Sequence, residues 1–147
     1  MFNLDELRPN TRFAAITLST ACPWVKYTSG YRTWLDQAHA MAVNVAQKRD
    51  WLGQVYKREP QLQAWVDAHP EITDLEGIEN GLYFTLMGLD KGTLDRFAHP
   101  ARRAFDMEQP YDQWQDATVH VIESLPRLDR FLRGEGGLPI WHCQFHE

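Results

Sequence analysis

Residues 31–58 read YRTWLDQAHAMAVNVAQKRDWLGQVYKR. Apolar side chains recur at Trp34, Ala38, Met41, Val45, Leu52 and Val55, with Leu35, Ala42 and Tyr56 on the flank. Steps of three and four residues are the period of a helix that buries one face. Thr28 or Ser29 can cap its start. Unbroken, such a helix would span about 42 Å, which is long for a globular protein. Lys48 interrupts the stripe and Gly53 weakens its end, so a break is expected near Asp50.

The same period continues downstream. Pro60 suits a first helical turn and leads into Leu62, Trp65 and Val66. Thr73-Asp-Leu-Glu76 has the form of a capping box ahead of the stripe Leu75, Ile78, Leu82, Leu86 and Leu89. Gly77 and Gly81 on that helix cost roughly 1 kcal/mol each relative to Ala, which close approach of a neighbouring helix would explain. Thr93 can cap a short helix carrying Leu94 and Phe97, and His99-Pro100 opens another with Ala101, Ala104 and Phe105 on one side. Pro110 opens a helix with Trp114, Ala117, Val121, Ile122 and Leu125. Pro126 restarts it through Leu128, Phe131 and Leu132 to Gly134.

The two ends read differently. Residues 3–8 form a short helical turn with Asn3 as N-cap, and residues 19–30 form a loop. Arg12–Leu18 is too short for periodicity to choose between strand and helix. Near the other end Trp141, Cys143 and Phe145 alternate with His142, Gln144 and His146, a strand pattern. The fold class expected is mainly α. It is a compact bundle of five to seven helices with a short two-stranded β ribbon from residues 12–18 and 138–146, in a single globular helical domain over 1–147.

Composition sets the outer bounds. A chain of 147 residues with 44% hydrophobic and 24% charged residues has the make-up of an ordinary globular domain. The net charge is −5. Residues 1–74 hold eight acids and eight bases, and residues 75–147 hold twelve and seven. Nucleic-acid backbone binding needs clustered Lys and Arg, so this balance disfavours it. It is also too weak for a polyanion mimic. No stretch approaches eighteen apolar residues, which speaks against a membrane span. The first residues carry acids where a signal peptide carries positive charge. Cys22 and Cys143, the only cysteines, read as reduced thiols rather than a disulfide framework. A cytoplasmic protein is the expectation, and a homodimer is compatible with it.

Four groups of residues merit a chemical reading. His142, Cys143 and His146 offer zinc-type donors. On a helix the two histidines would share a face, whereas on a strand they lie about 13 Å apart, too far for one ion. Asp112, Asp116, His120 and Glu123 fall within an arc of about 80° on one helix. They could hold a cation or run acid–base chemistry, but an amphipathic helix must place polar residues there in any case. Residues 73–106 resemble a helix-turn-helix, with Arg96, Arg102 and Arg103 in or after its second helix, yet the segment holds six acids and four bases and lacks a positive field. Ser19, Thr20 and Cys22 have no nucleophile-elbow glycines, and Gly134-Glu-Gly-Gly137 lacks the Lys of a phosphate loop.

The aromatic load is the remaining signal, with six tryptophans. Trp51 falls about 110° from the centre of the Trp34–Val55 stripe, Trp24 lies beside a proline in a loop, and Tyr111 opens a helix. With Arg102 and Arg103, these are the residue types from which protein-binding hot spots are built. The expectation is therefore an acidic interaction module that binds a larger protein partner, of the inhibitor, immunity or anti-defence type found among phage and bacterial accessory proteins. It needs no cofactor and no catalytic set. The alternative is a small metal-dependent hydrolase or other enzyme whose His and Asp side chains (among His39, His69, His99, His120, His142 and His146) are gathered by folding. A DNA-binding regulator ranks third.

Overall fold

The computed structural model describes residues 2–147. In chain order its regular elements are α1 (Pro9–Ala21), β1 (Tyr27–Ser29), α2 (Trp34–Gln47), α3 (Trp51–Val55), α4 (Pro60–Ala68), α5 (Leu75–Met87), α6 (Lys91–Leu94), β2 (Ala104–Glu108), α7 (Asp112–Ser124), β3 (Leu128–Arg133) and β4 (Ile140–Phe145). Single 3-10 turns lie at Leu4–Glu6, where Asn3 accepts from the Asp5 amide as expected, and at Glu135–Gly137. The chain divides into two compact units. Arg32–Phe97 forms one, and the residues up to Tyr31 join Ala98–Glu147 in the other.

The second of these carries all four strands, in the order β1-β2-β4-β3, with every neighbouring pair antiparallel. The expected strand near residue 140 is present and alternates as read. Its partners correct the two-stranded ribbon, because β4 pairs with β2 and β3 and not with residues 12–18. Those residues lie in α1. Pro9 presets its first turn, and Thr11, Ala14, Ala15 and Leu18 form its buried side. Arg8 makes no side-chain cap. The Glu147 carboxylate supplies one instead, accepting from the Asn10 amide at 3.2 Å, the Thr11 amide at 3.0 Å and the Thr11 hydroxyl at 2.8 Å. Residues 104–108 and 128–133 are strands, although Ala104, Phe105 and the stretch from Leu128 are expected in helices from their spacing. The β3–β4 connection turns through Gly134, Gly136 and Gly137 at φ 82°, 60° and 84°, angles that glycine adopts without strain. On one face of the sheet Phe105, Met107, Trp141, Cys143 and Phe145 pack with Leu7, Ala14, Ala15 and Leu18, and with Ile122 and Leu125. Cys22 and Cys143 are both buried free thiols.

In the helical unit the expected break occurs, with α2 ending at Gln47 and α3 beginning at Trp51. Thr33 caps α2, not Thr28 or Ser29, in a reciprocal box with Asp36. Arg49 terminates α4 from a distance. Its guanidinium donates to the carbonyls of Val66 at 3.0 Å, His69 at 2.7 Å and Ile72 at 2.9 Å. Asp74, one residue beyond the expected Thr73, caps α5 by accepting from the Gly77 amide at 2.7 Å. Asp90 rather than Thr93 caps α6. Gly81 does permit close approach, since a Cβ there would lie 1.7 Å from the Trp65 ring.

Candidate metal centre

Asp106 is the third residue of β2, between Phe105 and Met107. Those neighbours point into the aromatic core, so the pleat turns Asp106 to the opposite face. Register then decides its company. Ser29 of β1 and His142 of β4 stand directly across from it on either side. His99 joins from the turn before β2. That turn is closed by the Arg102 amide donating to the His99 carbonyl and the Arg103 amide donating to the Ala98 carbonyl, both at 2.9 Å. Arg102 adopts φ 62° there, a conformation non-glycine residues seldom take.

The side chains of His99, Asp106 and His142 are only 6%, 5% and 8% exposed. His99 Nδ1 lies 2.6 Å from the Gly30 carbonyl oxygen. A carbonyl can only accept, so Nδ1 donates to it, and Nε2 is the nitrogen turned toward Asp106 and His142, donating when the ring is charged and offering a lone pair when it is neutral. Nε2 stands 3.1 Å from Asp106 Oδ1 and 3.3 Å from His142 Nδ1, and the last two atoms are 2.8 Å apart. Ser29 donates its hydroxyl proton to Asp106 Oδ2 at 2.6 Å, which leaves Oδ1 for the imidazoles.

Three potential ligand atoms thus meet at the corners of a small triangle. Its edges of 2.8–3.3 Å compare with about 3.0–3.4 Å for ligands about 2.1 Å from one ion in octahedral or tetrahedral array. An ion at that distance from all three would sit about 1 Å off their plane. The outer contacts are those a metal site uses. One ring N–H is donated to a carbonyl, which fixes the tautomer, and a hydroxyl holds the second carboxylate oxygen. A Ser-His-Asp nucleophile is a poor description, because the Ser29 proton goes to the carboxylate and not to an imidazole nitrogen.

The ligand groupings read from sequence do not assemble. His142 enters the centre, but Cys143 faces the other side of β4, into the aromatic core. Burial pushes its thiol well above the ordinary range, helped by the nearby Asp106 charge. His146 lies past the end of β4, with Nε2 3.2 Å from Asp129. Strand pleating separates these three, as the longer spacing implied. Asp112, Asp116, His120 and Glu123 are exposed along α7, the solvated face of an amphipathic helix. Among the described residues, the one group of three or more His, Cys, Asp or Glu with donor atoms within 4.8 Å of one another is His99, Asp106 and His142.

The residues expected to meet a protein partner differ in their surroundings. Trp51 is 2% exposed and edge-on to Tyr56 at 5.7 Å. The break after Gln47 removes it from the frame of α2 and turns it into the core, which corrects its assignment to the surface. Trp24 stacks on Trp114 at 4.3 Å and donates to the Thr118 hydroxyl at 2.9 Å. Tyr111 is 75% exposed. The Arg102 guanidinium lies 4.5 Å from the Tyr31 ring centre. Arg103 uses its carbonyl to accept from the Phe145 amide at 2.9 Å.

Sequence reasoning counted His99 without giving it a role, and it passed over Asp106 and Ser29. One signal was present: Asp106 is a lone acid between Phe105 and Met107. The chain matches no known family model, no curated protein and no solved structure.

Proposed function

We propose that this protein binds one first-row divalent transition-metal ion through His99 Nε2, His142 Nδ1 and Asp106 Oδ1. One observation carries the reading: three buried potential ligand atoms lie within 3.3 Å of one another, with His99 Nε2 turned inward by the bond of Nδ1 to Gly30. Once deprotonated on His99 Nε2 and His142 Nδ1, the two rings and the carboxylate would turn three lone pairs toward one point, where a divalent cation would take the place of the shared protons. Two imidazole nitrogens and one carboxylate suit zinc, iron(II) or cobalt(II), whereas magnesium and calcium prefer all-oxygen sites. Of the functions considered from sequence, metal-dependent chemistry through His and Asp is the one this geometry supports.

Cobalt(II) titration is the test, because its d–d absorption reports imidazole coordination directly. The expected result is saturation at one ion per chain, with affinity in His99→Ala, His142→Ala and Asp106→Asn falling by more than the roughly ten- to hundredfold that loss of an outer-shell partner costs. Absence of a saturable signal, or an unchanged titration in His142→Ala, would overturn the assignment.

A further inference from the structure

Residues 32–97 leave the sheet-bearing unit just after Gly30-Tyr31 and the chain returns to it at Ala98-His99. Both crossing segments belong to that unit. The donors His99 and Asp106 lie on the returning one, and the outgoing one reaches them through Ser29 and Gly30. β1 is only three residues long, and its register with β2 shifts between Tyr27 and Ser29. Side chains continue where the short ladder weakens. Ser29 is bonded to Asp106, the Gly30 carbonyl to His99, and Arg102 lies over Tyr31. Gly30 itself is enclosed, since a Cβ there would come within 2.8 Å of the Phe2 ring.

Resting on the metal reading, we propose that the bound ion is a clasp on these two crossings. It ties the outgoing segment 29–31 to the returning segment 98–106, so metal occupancy sets how often that junction opens. Two contacts transmit the effect. An ion on His99 Nε2 strengthens the Nδ1–H donated to Gly30, and an ion on Asp106 Oδ1 fixes the carboxylate that holds Ser29. His142, on β4, anchors the pair to the middle of the sheet. Opening of such a junction is local unfolding, and an ion bound only by the closed form suppresses it by mass action.

Hydrogen exchange measured by mass spectrometry on the full chain, with zinc(II) and with a chelator, tests this. Peptides covering 27–31 and 98–106 should exchange at least about tenfold more slowly with zinc, while α2 and α5 keep the same rates. Ser29→Ala should bind metal about ten- to a hundredfold more weakly, and at zinc(II) concentrations that saturate it should still lose most of the zinc-dependent protection at 27–31, an outcome that does not depend on whether His142→Ala folds. Cobalt(II) binding with unchanged exchange at both crossings would overturn the clasp and leave the metal reading standing. Absence of cobalt(II) binding would remove both.

Discussion

Across the sheet Cys143 is flanked by Phe105 on β2 and Phe131 on β3, and no water-accessible surface remains on it. Burial raises its thiol above the usual range, and burial likewise raises Cys22, against a lowering hydrogen bond with Thr118. Tyr27 is raised by burial as well. In the unfolded chain a cysteine ionises near pH 8.5, whereas the folded chain holds these protons to higher pH. The unfolded state therefore gains from ionisation first. Stability is full below about pH 8.5 and declines as pH rises above it. The urea midpoint should fall between pH 8 and pH 10, with a shallower fall in Cys143→Ala, and native Cys143 should resist iodoacetamide. A pH-independent midpoint, or alkylation at the rate of a free thiol, would show that Cys143 is not held as described.

Packing between elements turns on single atoms in the helical unit. The Trp65 indole of α4 occupies the space over Gly81 of α5 and also stacks on His69 at 4.6 Å. Gly81→Ala would gain roughly 1 kcal/mol of helix propensity, but its methyl would overlap the ring. The net expectation is a loss of about 1–3 kcal/mol, read as a lower denaturation midpoint. A stabilised variant would mean that the indole can move aside. The helical elements were legible because their apolar periods are long and their punctuation strong: Pro60 opens α4, and the stripe fails at Lys48. The strands were not. β2 is buried on both faces over Ala104–Met107, so it shows no alternation. In β3 the register shifts between Leu128 and Arg130. That extra residue puts Leu128 and Phe131, three apart, on the same core side, and a spacing of three imitates a helix. The centre was hidden for the same reason. His142 and its outward direction were readable from the alternation of β4, but Asp106 becomes its neighbour only once β2 is known to be a strand.

At the scale of the whole chain, the sheet-bearing unit is interrupted by a 66-residue helical insertion, Arg32–Phe97. Its flanking residues are already in contact, since the Gly30 carbonyl accepts from His99. A short Gly/Ser linker in place of 32–97 should therefore close at lower entropic cost than the long segment it replaces. The shortened protein is expected to fold and bind cobalt(II) one to one. A linker protein without cooperative unfolding would show that the sheet depends on the insertion.

The strand order also sets a timetable for synthesis on the ribosome. β4 lies between β2 and β3 but emerges after both. Until it arrives, the inner edges of β2 and β3 are open, and such edges invite pairing with other nascent chains. The last buried residue of the helical unit, Phe97, has by then long been translated. At that stage the helical segment is fully translated while the sheet still awaits its inner strand, and His142 is delivered by the segment that ends that exposure.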